Sequence, residues 1–176
     1  MSRGPFSARK VDKPFVASEI DKEILKDKSI YRVADFTKNI MADGATSYFH
    51  KSIGGYHAAK PRRYQELYDF HIAKNNIEVL NMLNTKYLIF DDGTQREAVQ
   101  ENPEANGNAW FITTLKIVTT ANKEIKALDS LKTKEEAVIN SKFISSDFPV
   151  NYPKDSSASI QLKGYKANEL TYESNS

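Results

Sequence analysis

Apolar positions along this chain change their spacing several times, and each change marks a predicted element. Ser18, with Glu19 and Asp21 behind it, opens a short helix over about 19–26, the acids lying in the first turn where the helix dipole favours them. Ile30-Tyr31-Arg32-Val33-Ala34 alternates and is rich in β-formers, which predicts a strand, and Asp43-Gly44 ends that unit. Pro61 suits the first position of a helix whose Tyr64, Leu67, Tyr68 and His71 fall at i, i+3, i+4 and i+7. A second short helix covers about 76–83, with Ile77, Leu80 and Leu83 on one face and Asn84 as a left-handed stop. Lys86 to Phe90 predicts a strand, turned by Asp91-Asp92-Gly93.

From Gln95 to Asn108 the pattern is polar and predicts only a tight turn at Asn106-Gly107. Ala109 to Ile112 and Leu115 to Thr119 predict strands, and Thr133-Lys134-Glu135-Glu136 has the spacing of a capping box opening a helix to about Asn140. Ile160 and Leu162 alternate with Gln161 and Lys163, and Leu170 and Tyr172 with Thr171 and Glu173, as two half-buried strands. The expected fold class is α+β: a small mixed or antiparallel sheet covered by short helices, followed by the start of a β-sandwich-like segment. Tyr87, Leu88, Ile89, Trp110, Phe111 and Ile112 are the expected core, with Tyr64, Leu67, Tyr68 and Leu80 packed over it. The organisation expected is a basic, Pro-punctuated arm (1–17), an α+β domain (18–145) and the start of a truncated β-rich domain (146–176). An amphipathic strand at the last residues leaves an edge with no successor, so the chain is expected to be a piece of a longer protein.

Composition narrows the function classes. The 176 residues balance 25 cations against 23 acids for a net charge of +2, which argues against a nucleic-acid partner. There is no cysteine, so no disulfide or thiolate chemistry arises. The longest apolar stretches, Tyr87 to Phe90 and Ala109 to Ile112, fall far short of the ~20 residues that span a bilayer. The start of the chain lacks the apolar region of a signal peptide, so the segment by itself is expected to be soluble.

Candidate chemistry concentrates between Thr46 and His71. Tyr48, Phe49, Tyr56 and Tyr64 interleave there with His50, Lys51, His57, Lys60, Arg62 and Arg63, with no acid before Glu66. Aromatic faces among cations suit a sugar, a phosphate or a protein surface. Lys60, Arg62 and Arg63 also flank a helix N-terminus, where each cation costs ~0.3–1 kcal/mol. Two compensations stay open: a bound anion such as a lipid phosphate or acidic glycan, or ion pairs with acids elsewhere, Asp91 or Asp92 among them. Tyr48, Phe49 and Tyr56 either stack on sugar rings, with Gly54-Gly55 permitting close approach, or fold back onto the core. The candidate anion- or glycan-binding set is Lys60, Arg62, Arg63, His57, Tyr56 and Tyr48. His50, His57 and His71 match no metal spacing, so no metal and no cofactor is expected. Glu66 and Asp69 on an exposed helix face read as solvated charges before they read as a hydrolase pair, and no catalytic residue is assigned.

Four motifs carry a resemblance: Tyr31-Arg32-Val33; Ser52-Ile53-Gly54-Gly55-Tyr56-His57-Ala58-Ala59-Lys60 with Arg63-Tyr64-Gln65; Leu80-Asn81-Met82-Leu83-Asn84-Thr85-Lys86-Tyr87; and Asn102-Pro103 followed by Gly107-Asn108-Ala109-Trp110-Phe111. Tyr165 to Leu170 matches more weakly. In order and spacing they resemble the extracytoplasmic region of the YfhO family of polytopic bacterial membrane proteins, in its Bacteroidetes form. The resemblance implies a non-catalytic module on the extracytoplasmic side of the inner membrane, part of a glycosyltransferase that uses lipid-linked sugars. Its partners would be the flanking transmembrane segments and a lipid-linked sugar or envelope glycan, with no nucleic acid. The alternative is a stand-alone soluble module that binds carbohydrate or protein.

Overall fold

The computed structural model describes residues 15–94, 96–145 and 147–176. Most of the expected arm (1–14) lies outside the described residues. The fold is α+β, built from three small sheets and short helices.

Ser18 caps helix α1 (Glu19–Ile24) reciprocally: its hydroxyl accepts from the Asp21 amide, and the Asp21 carboxylate accepts from the Ser18 amide. The Tyr31 hydroxyl donates to the Ile24 carbonyl at 2.8 Å and satisfies the other end of the helix. Strand β1 (Arg32–Asp35) follows and pairs in parallel with β2 (Thr85–Asp91). Between them run helix α2 (Ala45–Phe49), helix α3 (Arg62–Phe70), a 3₁₀ turn at Ile72–Lys74 and helix α4 (Ile77–Met82). Asn75 and Asn84 end the last two in left-handed backbone, φ 56° and 55°, as asparagine tolerates. On its outer edge β1 is bridged to Ser52.

Side-chain alternation splits the core. Val33 and Ile89 face α1 with Ile24 and Tyr31, while Ala34 and Leu88 face α3, α4 and the larger cluster of Ile53, Ile72, Val79 and Leu80. Antiparallel β3 (Glu97–Glu101) pairs with β2, placing a strand inside the stretch expected to be a polar loop. Its Val99 packs on the α1 cluster; a single apolar position of this kind is too little alternation to detect.

The second sheet is a βαβ unit: β4 (Thr114–Val118), helix α5 (Ala121–Ala127) and β5 (Glu136–Asn140), with β4 and β5 parallel. Helix α5 went unanticipated, and β5 replaces the helix expected after Thr133. Both ends of the supposed capping box have other partners. The Thr133 hydroxyl donates to Glu78 at 2.8 Å, and Glu136 accepts from Lys116 at 2.8 Å and from the Lys132 amide at 2.9 Å. Val138 and Ile139, both β-branched, then favour pairing with β4. The strand expected over Ala109–Ile112 is irregular chain, with Phe111 exposed rather than in the core. Trp110 is half-buried, its indole N–H donating to the Thr133 carbonyl at 2.8 Å. Beyond residue 145 the chain touches β4 through Asn151, then forms the antiparallel hairpin of β6 (Ser159–Lys166) and β7 (Glu169–Asn175).

Asp27, just past α1, ties this helix to β2. Its carboxylate accepts from Lys86 Nζ at 2.7 Å and from the Tyr87 hydroxyl at 3.0 Å. The Lys86 ammonium, aided by the Ser29 amide, holds Asp27 well below the usual carboxylate range, and Asp27 in turn raises Lys86. Because the Asp27 pKa is lower folded than unfolded, its contribution is complete above ~3.9 and drains as pH falls toward the folded value. Lys86, raised, contributes below ~10.4 and loses that as pH climbs through its folded value. Asp27→Asn is expected to remove about 1–2 kcal/mol at neutral pH and to make the acid limb of urea midpoint against pH shallower. An acid limb of unaltered slope would assign it to other carboxylates.

Gly54 makes a second joint, because a Cβ there would lie 2.1 Å from the Ile40 carbonyl oxygen. Gly54→Ala is expected to cost about 1–3 kcal/mol and several degrees of Tm. Gly44→Ala is the control: its φ is −102° and the nearest atom to an added Cβ, on Phe15, lies at 3.9 Å, so the cost is at most about 1 kcal/mol. Equal losses at the two sites would remove the Ile40 contact as the cause.

Candidate functional site

The interleaved segment begins in α2, whose first amides donate to Asp43 at 3.1 and 2.9 Å. Tyr48 stands half-exposed in an aromatic cluster, 5.5 Å from the Phe15 ring and 5.0 Å from Phe49. His50 turns inward, its Nε2 2.9 Å from Asp21 on α1, so the capping carboxylate also anchors this loop. The Gly54 close approach is to Ile40 and not to an open surface. Tyr56 is 75% exposed; His57 is exposed as well, its Nδ1 accepting from the Ala59 amide at 3.0 Å. Lys60 donates to the Met41 carbonyl.

Pro61 is the N-cap of α3, one position earlier than expected. Arg62 pairs with Glu66 at 2.8 Å along the helix, and Arg63 with Glu124 of α5 at 2.7 Å. The acids are thus Glu66 and Glu124 rather than Asp91 or Asp92. Arg63 edges a cavity of about 600 Å³ that also carries Glu66 and Glu124, and Arg62 one of about 530 Å³ with Glu66 and Asp129. Tyr48, Tyr56, His57 and Lys60 line neither, so the six candidate residues do not converge on one cavity.

His71 is buried, its Nε2 2.8 Å from the Ile125 carbonyl and its Nδ1 3.2 Å from the Asn76 amide. Among the described residues no group of three or more His, Cys, Asp or Glu could hold a metal ion. Glu66 is engaged by Arg62 and Asp69 by Gln65, so the two acids have separate partners.

A different set of residues does converge. A cavity of about 250 Å³ opens where β1 begins, between the turn at 107–110 and the hairpin. Its walls carry Arg32, Lys51, Asn108, Trp110, Tyr165 and Tyr172, with Tyr31 and Asn84 behind them. The pairing of β1 with Ser52 sets Lys51 beside Arg32. One Arg32 nitrogen donates to the Leu83 carbonyl at 2.8 Å, and the Lys51 ammonium sits 4.8 Å from the centre of the Tyr165 ring. Asn84 donates to the Ile30 carbonyl at 2.8 Å and to Asn108 Oδ1 at 3.3 Å, bracing the floor. The Tyr172 hydroxyl reaches the Asn108 carbonyl at 3.4 Å. Burial pushes the Tyr31 phenol up, so it stays neutral.

Hairpin geometry supplies the rings. Leu162 and Tyr165 would face opposite sides of a regular strand, but the register slips between Leu162 and Gly164. Leu162 then pairs with Tyr172 and Tyr165 with Leu170, and all four line the cavity.

No carboxylate lines this cavity, whereas each of four others carries at least two: Glu66 and Glu124; Glu135 and Asp155; Glu66 and Asp129; Asp21, Asp35 and Glu97. Among the described residues neither Arg32 nor Lys51 makes an ion pair. The lining offers two cations for an anion, ring faces for stacking and amides for hydrogen bonds. Sequence reasoning missed the set because its members lie far apart along the chain. Arg32, Asn84, Asn108, Trp110 and Tyr165 each fall in a motif of the resemblance and Lys51 in the aromatic-basic stretch, but no local pattern joins them into a site. Comparison with protein-family models, with curated proteins and with solved structures yields no match to this chain.

Proposed function

We propose that this chain is a non-catalytic extracytoplasmic module of a YfhO-like membrane protein that positions a glycan or lipid-linked phosphate beside membrane-embedded chemistry. The observation that carries the binding reading is the acid-free cavity, in which Arg32 and Lys51 face the rings of Trp110, Tyr165 and Tyr172. In a chain with 23 acids, a cleft with two cations and no carboxylate selects for negative charge. The membrane association rests on the motif resemblance alone. Among the described residues no helix is long and apolar enough to cross a membrane.

Trp110 is the only tryptophan in the sequence and lines both this cleft and a neighbouring cavity of about 820 Å³, so its emission reports binding at either, and loss of the response in Arg32→Gln assigns it to the cleft. Titration with vesicles containing a polyprenyl monophosphate, and with a panel of neutral and acidic oligosaccharides, is expected to give a saturable change with at least one of them. A flat response to every ligand would overturn the binding reading. Extracytoplasmic placement is checked separately: protease added to spheroplasts of the native host should cut the segment, and full protection would rule that placement out.

A further inference from the structure

We infer that the cleft takes a single sugar unit bearing one anionic group, a phosphate or a carboxylate, with the anion at Arg32 and Lys51 and the ring against Trp110, Tyr165 and Tyr172. This rests on the binding reading above and narrows it.

Size excludes a polymer segment enclosed over several units. At about 250 Å³ the cavity lies below the ~300–1,000 Å³ of pockets that enclose drug-sized ligands. One ring with one substituent fits that scale. Charge comes next. Arg32 spends one of its five N–H donors on the Leu83 carbonyl and leaves the rest of a planar fork suited to two anion oxygens. Lys51 is held over the Tyr165 ring face, an arrangement that fixes the ammonium without a carboxylate. Both cations lie at the same end of β1, because its outer edge pairs with Ser52. Both line the one small cavity, so an anionic group entering it is offered both.

The remaining wall suits a sugar better than an aromatic ring. Asn108 accepts from Asn84 through its side-chain oxygen, which leaves its NH₂ to donate to a hydroxyl. Gly107, at φ 85° with nothing within 4 Å of a Cβ position, leaves open space beside that amide. Stacking faces with a nearby amide recognise a ring that has apolar C–H faces and polar edges.

The test uses the whole chain and Trp110 emission, with five soluble probes: glucose 1-phosphate, glucuronate, glucose, inorganic phosphate and phenyl phosphate. At least one of the two anionic sugars is expected to half-saturate at about tenfold lower concentration than glucose or inorganic phosphate. Which of them does so distinguishes a phosphate from a carboxylate. Arg32→Gln combined with Lys51→Gln should bring that ligand to the level of glucose, while the lost Leu83 and Tyr165 contacts lower the thermal midpoint by only a few degrees. If the double variant does not fold, the wild-type salt response decides: higher ionic strength should weaken the anionic sugar and leave glucose unchanged. Equal half-saturation by glucose and both anionic sugars overturns the anion assignment. Phenyl phosphate binding as tightly as glucose 1-phosphate overturns the sugar, and inorganic phosphate binding as tightly reduces the cleft to a plain anion site. A response to polyprenyl-phosphate vesicles or oligosaccharides with none to the soluble probes sinks this inference but keeps the module reading. Silence from every ligand sinks both.

Discussion

Strand β1 is hydrogen-bonded along both edges, and the candidate cleft depends on that. The Val33 amide donates to the Lys51 carbonyl at 3.0 Å and its carbonyl accepts from Ile53 at 3.1 Å. Arg32 and Phe36 donate the other way, to Asn84 and Ile89, each at 2.8 Å. Val33 and Ala34 are fully buried in clusters on opposite faces, so a slip of one residue would exchange them between two filled cores. Four residues of strand therefore hold Arg32 at a defined end and draw Lys51 alongside it. Two cations line one cavity because backbone pairing and burial on both faces fix the chain that carries them.

The aromatic-basic loop shows the opposite case, cations whose cost the protein meets internally. Cations at the first turn of a helix cost ~0.3–1 kcal/mol each. Exposed ion pairs such as Arg62 with Glu66 and Arg63 with Glu124 return ~0–1 kcal/mol each. The two ranges overlap, so no external anion is needed to account for these arginines. Lys60, closed onto the Met41 carbonyl, is likewise engaged within the chain. Neither Arg32 nor Lys51 has such a carboxylate partner among the described residues, so their charge is not offset within the chain in the same way.

Legibility in the sequence followed how local each cause was. Helix α1 was readable because Ser18 and Asp21 cap within one turn, and Asn84 because its left-handed stop is a property of the residue. Strand β2 announced itself through a continuous apolar run. Strand β3 did not, since an edge strand needs only Val99 on its buried face. The region after Thr133 misled because a capping box is a local pattern, and here Glu78 and Lys116, remote in sequence, claim its two side chains. Helix α5 is polar around most of its circumference and packs chiefly through Ile125. For the site, residue types were readable but partners were not. The cations that crowd together in sequence line different cavities beside α3, whereas Arg32 and Lys51, apart in sequence, line one, set there by the Val33–Ser52 bridge that no local pattern encodes.

The hairpin wall adds a dependence on one irregularity. Without the slip near Gly164, Tyr165 would leave the face that carries Leu162, and Lys51 would lose the ring beneath it. A two-stranded ribbon is marginal by itself in water, and β7 is exposed along its whole length, so little apolar burial holds it. Its attachments to the cleft are the Lys51–Tyr165 contact, worth ~0.5–1 kcal/mol at an exposed site, and the long Tyr172–Asn108 hydrogen bond. The opposite wall belongs to β1 and is clamped between two cores. Stiffness therefore differs across the cleft: the strand that carries Arg32 is clamped on both faces, whereas Lys51 and the Tyr165 ring share one lightly held contact.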